Sequence, residues 1–403
     1  MPPFNNHRRF NNKSSNSRGS FFRPRNKSAG KKMRGEHIDV SRFIKKSSPF
    51  KIATPPIIEH TFADFGFCPQ LQKNLETREY LTPTPIQDQS IEHTMQGRDL
   101  IGLANTGTGK TAAFLLPMIH KCFRDRDQKV LIIAPTRELA IQIDDEFQKF
   151  TGSLNLYSAI CVGGSPIHLQ IKQLRRRPHF VIGTPGRLND LKKRGLIHFS
   201  VFQNIILDEI DRMLDMGFVE EIKRMLAEMP KQRQSLFFSA TMPPKIKALA
   251  QQFLVDPITI KVSNGEAAGN IDQDVIRVNK YAKFDKLKDL LGTDDLKKVL
   301  IFSETKRDVE RLTEDLTRDG FKADSIHGDK RQRERERALW KFKENHVQIL
   351  VATDVAARGL DINNVTHVIN YTIPQTYDDY IHRIGRTGRC DKKGFALTFV
   401  ESY

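Results

Sequence analysis

The sequence predicts an α/β protein of two tandem domains, each a parallel sheet flanked by helices, behind a disordered basic tail. Three observations carry this. From about residue 60, short β-branched runs alternate with helical stretches, the pattern of a doubly wound parallel sheet. A polar stretch with two glycines, Ser263 to Gln273 (SNGEAAGNIDQ), interrupts the series and reads as a flexible linker. A glycine-rich loop, Ala104 to Thr111 (ANTGTGKT), and an arginine-bearing segment, His382 to Arg389 (HRIGRTGR), lie 276 residues apart, counted from Lys110 to Arg386. That is too far for one supersecondary unit, so each domain would supply part of one centre, and catalysis would require the two to close. The expected division is residues 1–50 for the tail, 51–262 for the first domain, 263–273 for the linker and 274–403 for the second domain.

The tail comes first. Residues 1–50 hold 13 Lys or Arg against two acids, Glu36 and Asp39, and so carry +11 of the chain's +17. Rich in Asn, Ser and Gly and poor in aliphatics before Ile38, the stretch buries too little surface to offset the entropy of ordering. Aromatics sit among its charges, as in Arg8-Arg9-Phe10 and Phe21-Phe22-Arg23. Such a mixture suits either single-stranded nucleic acid, through phosphate attraction and base stacking, or a merely solvated tail. A short apolar patch, Ile38 to Ile44 (IDVSRFI), reads as able to dock on the body at a place the sequence does not specify.

Strands are expected in the first domain at Asp99–Leu103, Val130–Ala134, Ala159–Val162, Phe180–Gly183, Asn204–Leu207 and Ser235–Phe238, and in the second at Val299–Phe302, Gln348–Ala352, His367–Asn370 and Ala396–Val400. Nearly every one in the first domain runs into a polar or glycine-rich segment, and in such sheets ligands bind beyond the carboxyl ends of the strands. With a mean hydropathy of -0.48 and charges throughout, no apolar run reaches the roughly 20 residues that cross a bilayer, so no membrane partner is expected. No signal peptide is legible at the N-terminus. The four cysteines, Cys68, Cys122, Cys161 and Cys390, are too scattered for a metal pair or a disulfide framework, which suits a reducing cytoplasm.

The loop ANTGTGKT follows a strand and precedes an apolar helical run, Ala112 to Ile119, the context of a phosphate loop. Gly107 and Gly109 let backbone N–H groups curl around an anion at a helix start that already attracts negative charge. Lys110 would reach the β and γ phosphates, and Thr111 would hold Mg²⁺. Ala104 replaces the usual opening glycine. The apolar strand Asn204–Leu207 delivers Asp208 and Glu209 at its carboxyl end within Asn204 to Asp211 (NIILDEID). There Asp208 suits a hydrated metal, and Glu209 suits the orientation and deprotonation of an attacking water. Taken alone, Asp-Glu after a strand is equally a helix N-terminal turn.

Taken together these residues resemble the DEAD-box ATP-dependent RNA helicase family of superfamily two, over about residues 60 to 400. The motifs stand in family order: Thr82 to Gln87 (TPTPIQ), ANTGTGKT, Pro135 to Ala140 (PTRELA), Gly163-Gly164, Thr184 to Arg187 (TPGR), the DEID variant of the Walker B motif, Ser239 to Thr241 (SAT), Ala352 to Ile362 (ATDVAARGLDI) and HRIGRTGR. The resemblance implies two RecA-like domains, ATP and Mg²⁺ as cofactors, and single-stranded or short duplex RNA as partner. Ribonucleoprotein or RNA-processing partners would be reached through the tail.

Site roles follow by the same resemblance. Gln87 would pair bidentately with adenine, as amides do in DNA recognition, and Phe62 would stack on the base. Thr106, Gly107, Thr108 and Gly109 would join Lys110 and Thr111 around the phosphates. Asp361 would accept from the ribose hydroxyl. Arg386 and Arg389 would be arginine fingers. Asp211, Ser239, Thr241 and His382 would couple the phosphate site to RNA. Thr136, Arg137, Gly164, Thr184 and Arg187 from the first domain, with Gln332, Arg335 and Thr353 from the second, would grip the sugar-phosphate backbone, which positions a strand but reads no sequence. The sequence departs from the pattern at Ile210, where the family has alanine, and at Glu79, where it usually has glycine. The chain stops at Tyr403, before the closing helix the resemblance implies, and the second domain is accordingly read as truncated or ended differently. Two other readings stay open: an RNA clamp with an idle ATPase, and a DNA-directed translocase.

Overall fold

The computed structural model describes residues 39–46, 58–105, 107–152, 154–262, 270–293, 296–357, 362, 364–388 and 393–402. Residues 1–38, most of the expected linker, Thr106, Asp361 and Arg389 lie outside them.

Two parallel sheets form the described body. The first lobe has seven strands: β1 (Leu100–Leu103), β2 (Val130–Ile133), β3 (Ser158–Cys161), β4 (Phe180–Gly183), β5 (Asn204–Leu207), β6 (Gln234–Ser239) and β7 (Ile258–Lys261). Their order is β3-β4-β2-β5-β6-β1-β7. The second has six: β8 (Ile271–Val278), β9 (Val299–Phe302), β10 (Ala323–Ile326), β11 (Ile349–Ala352), β12 (His367–Asn370) and β13 (Gly394–Glu401), in the order β10-β11-β9-β12-β13-β8. All pairings are parallel. Four-residue strands such as VLII and NIIL are buried on both faces, which is why they read as continuous apolar runs. Helices cover each face. In the first lobe, Leu100, Val130 and Ile132 face one layer and Ile101, Leu131 and Ile133 the other. No described helix is long and apolar enough to cross a membrane.

Three strands went unread in the sequence. β7 (ITIK) and β10 (ADSI) carry polar residues because they pair on one side only, at sheet edges. β8 occupies Ile271, Asp272 and Gln273, the last three residues of the expected linker. The tail boundary shifts as well. Val40–Phe43 form a short 3₁₀ turn and Lys45 bridges Gln273, so Asp39–Lys46 belong to the ordered body rather than to a disordered tail. The reason is Phe43, fully buried with Ile271, Tyr380, Ile384 and Ala396.

Candidate active site

The loops that carry the motifs all follow strand ends. ANTGTGKT follows β1, PTRELA follows β2, Gly163-Gly164 follows β3, TPGR follows β4, DEID follows β5 and SAT closes β6. The sheet therefore collects residues scattered over some 140 positions of sequence along one edge.

The phosphate loop turns through left-handed glycines, Gly107 at φ 85° and Gly109 at φ 93°, and feeds the helix Lys110–Arg124. Gly109 allows a close approach: a Cβ there would lie 2.7 Å from the Thr84 hydroxyl and collide with the Gln87 amide. Gln87 accepts from the Thr84 backbone N–H (2.9 Å) and donates to the Gly109 carbonyl (3.0 Å), so the expected adenine reader is stitched to the phosphate loop. Thr108 donates to the Asn105 carbonyl, and buried Lys110 donates its ammonium to the Ala104 carbonyl (2.9 Å). Thr111 follows in the first turn of the same helix.

Phe62 departs from expectation. Its ring is 1% exposed, packed between Phe65 and Tyr80, and offers no open face to a base in this arrangement.

The acids behave differently from each other. Burial pushes the Asp208 carboxyl up to about 6, against the pull of the Lys110 ammonium, with the Glu209 charge adding to the rise. Burial acts on Glu209 in the same sense, but Arg212, Lys110 and Arg386 outweigh it and hold this carboxyl below its ordinary value. These cations therefore favour the carboxylate form of Glu209. It also sits at φ 52°, ψ 52°, a left-handed conformation that non-glycine residues occupy at a cost of about 1–3 kcal/mol, often at functional sites. Asp211 ties DEID to the SAT segment: its Oδ2 accepts from the Ala240 N–H (2.9 Å), the Thr241 N–H (3.0 Å) and the Thr241 hydroxyl (3.3 Å). The Ser239 side chain is buried at the end of β6. Ile210 is 2% exposed within the core on one face of the first sheet, which accommodates its extra bulk.

One cavity brings the distant halves together, lined by Lys110, Glu209, Asp211 and Arg212 from the first lobe and by His382 and Arg386 from the second. A second, more open groove is lined by Thr136, Arg137, Thr184 and Arg187 of the first lobe and by Arg335 of the second. Thr136 caps the helix Arg137–Thr151, and the Arg137 guanidinium lies against Gly163 and Gly164, where a Cβ would leave it no room. Gln332 does not itself line the groove, but it donates to Glu138, which does (3.4 Å). Thr353 stands at the end of β11, two residues before the groove residue Val355.

Sequence reasoning missed three working side chains. Glu138, 6% exposed, takes Arg335 from across the cleft at 3.0 Å. Arg212 donates to Glu209 (3.1 Å) and, across the cleft, to the Val355 carbonyl (2.8 Å). Arg383, 3% exposed, clamps Asp354 with two donations of 2.6 and 2.7 Å. All three stand inside or directly beside motifs quoted above, and a charge amid apolar helical residues was the available signal.

The profile of the DEAD/DEAH box helicase family matches residues 84–249, and that of the helicase conserved C-terminal domain matches residues 282–391. The ATP-dependent RNA helicase CshA of Limosilactobacillus reuteri is 45% identical over 341 residues, 84% of this chain and 69% of that protein. The chain belongs to the DEAD-box RNA helicase family. The DEAD-box protein CshA of Bacillus cereus is 44% identical over 84% of this chain and 65% of its own length, so the chain spans about two thirds of these relatives. Among solved structures, Saccharomyces cerevisiae Dbp5 bound to RNA and ADP BeF3 superposes with a TM-score of 0.76 at 31% identity, over 85% of this chain and 90% of that one. Mss116p bound to ssRNA and AMP-PNP gives the same TM-score at 30% identity, over 85% and 74%. Both lobes of this DEAD-box protein are therefore the RecA-like pair of its family.

Proposed function

We propose that this chain is an RNA-stimulated ATPase that separates short RNA duplexes locally, by closing two lobes around ATP and a single strand. One observation carries the reading: a cavity in which Lys110 and Glu209 of one lobe face His382 and Arg386 of the other. Lys110 binds the β and γ phosphates, Glu209 takes the proton of the attacking water, and Arg386 meets charge building on the γ phosphate. Arg389 and Asp361 complete the set by family pattern. The groove holding Arg137, Arg187 and Arg335 suits a sugar-phosphate backbone, and a strand bent through it is incompatible with an A-form helix.

The DEID segment is read as the Walker B element. Among the described residues no group of three or more His, Cys, Asp or Glu could hold a metal. A hydrated Mg²⁺ needs fewer protein ligands than that, and a cation would offset the burial that disfavours the Asp208 carboxylate, so Asp208, with Thr111 by family pattern, fits it. When bound, the ion would neutralise charge on the β and γ phosphates. The basic tail is proposed to recruit RNA or ribonucleoprotein partners, and a reducing cytoplasm is the proposed location.

Turnover measured with RNA, with DNA of the same sequence and with neither tests the reading. RNA alone should stimulate ATP hydrolysis, and Glu209→Gln should keep ATP and RNA binding while trapping the closed form. Equal stimulation by DNA, or fast turnover in Glu209→Gln, would sink it.

A further inference from the structure

We propose that Asp39–Lys46, outside both matched family regions, is a positioning strap that seats the helix Tyr377–Ile384 and with it His382 and Arg386. Four observations place the strap. Phe43 is wholly buried, its ring centroid 4.6 Å from that of Tyr380. The Arg42 guanidinium lies over the Tyr377 ring at 3.8 Å. Lys45 exchanges two backbone hydrogen bonds with Gln273 of the edge strand β8, at 3.1 and 2.8 Å. The Tyr380 hydroxyl donates to the Gln273 side chain at 2.9 Å, so strap, edge strand and helix converge on one residue. Upstream, Asp39 caps the 3₁₀ turn by accepting from the Ser41 N–H.

The helix is divided between two duties. Tyr377, Tyr380, Ile381 and Ile384, spaced three and four residues apart, pack into the cluster around Phe43. On its other side Arg383 clamps Asp354, and His382 and Arg386 line the cleft. Eight residues make too short a helix to hold an orientation unaided. Its back is fixed by β8, β13 and the strap, and only the strap comes from outside the lobe. Removing Phe43 would leave a void behind the helix, and shifts of about 1 Å at a reacting group cost on the order of 10²-fold in rate. The strap is thus a positioning element, and none of its residues lines the cavity or the groove.

The proposal rests on the ATPase reading, and the experiment separates the two. On the full chain, kcat and KM for ATP are measured with a saturating single-stranded RNA oligonucleotide, alongside amide hydrogen exchange. Phe43→Ala should lower kcat by about tenfold or more with KM little changed, and should speed exchange in 377–386 and 271–278 but not around the phosphate loop. Phe43→Leu should recover most of the rate, and deletion of residues 1–38, which spares the strap, should retain it. Should Phe43→Ala fail to fold, Lys45→Pro, which removes one donor to Gln273 and leaves the apolar cluster intact, should give a smaller loss of the same kind. Wild-type kcat and exchange in Phe43→Ala, or in Lys45→Pro where Phe43→Ala does not fold, would overturn the strap, as would an equal loss on deleting 1–38. Absence of RNA-stimulated turnover in the unaltered chain would count against the function instead, and exchange would still decide the strap.

Discussion

Two glutamates share a left-handed backbone for opposite reasons. Glu79, at φ 58°, stands exposed where the family usually has glycine, and the geometry explains the preference: the turn after the helix Pro69–Thr77 needs a conformation that only glycine adopts without strain. Left-handed backbone costs a side-chain-bearing residue about 1–2 kcal/mol, partly offset by the greater freedom of glycine in the unfolded chain. Glu79→Gly should therefore stabilise by roughly 0.5–1 kcal/mol and raise the melting temperature by about 2 °C, read by calorimetry, with turnover unchanged. Glu209 keeps the same conformation in the cavity between the lobes, where it is the proposed base. His60 offers a pH-dependent test. Its ring meets Asp88 at 2.9 Å, and that hydrogen bond raises its pKa above the ordinary 6.5. A raised folded value means stabilisation complete below 6.5 and lost as pH climbs through the raised value. The melting-temperature difference between the parent and His60→Ala should be widest near about pH 6 and shrink by about pH 8.5.

At the scale of elements, β1 fixes the height of the phosphate loop through one small residue. A Cβ on Gly102 would meet the Phe238 ring of β6 at 2.6 Å, with Ile86 close on the other side. Gly102→Ala should cost about 1–3 kcal/mol as overpacking and weaken ATP binding, seen by denaturant unfolding and nucleotide titration. The central strands and their loops were legible because a doubly buried strand is a continuous apolar run ending in a polar loop; Val130–Ile133 and Asn204–Leu207 are the clearest cases. The edge strands β7 and β10 were not, since ITIK and ADSI need no such run. The strap was legible as an apolar patch but not as a location, because nothing in IDVSRFI names Tyr380 as its partner. At the site, Lys110 and Glu209 were expected from the loops after their strands and Arg386 from the family resemblance, and all three line one cavity, whereas the contacts of Glu138 and Arg212 arise from what lies across the cleft.

Across the whole molecule, contacts of Glu138 and Arg212 tie the first lobe to the second, Glu138 taking both Arg335 and Gln332. Glu138 and Arg335 form a mostly buried pair, and removing one partner of such a pair strands the other charge at a cost of about 3–5 kcal/mol. Glu138→Ala should disfavour the closed form, raise the RNA concentration for half-maximal ATPase by more than about tenfold, and widen the distance between fluorophores placed on the two lobes. An unchanged distance would refute that role. Arg212 is the other tie, donating to the Glu209 carboxylate in its own lobe and to the Val355 carbonyl opposite. A parted cleft loses the second of those contacts, so the environment of the proposed base changes with the spacing of the lobes. One guanidinium thereby links the separation of the lobes to the surroundings of the Glu209 carboxylate.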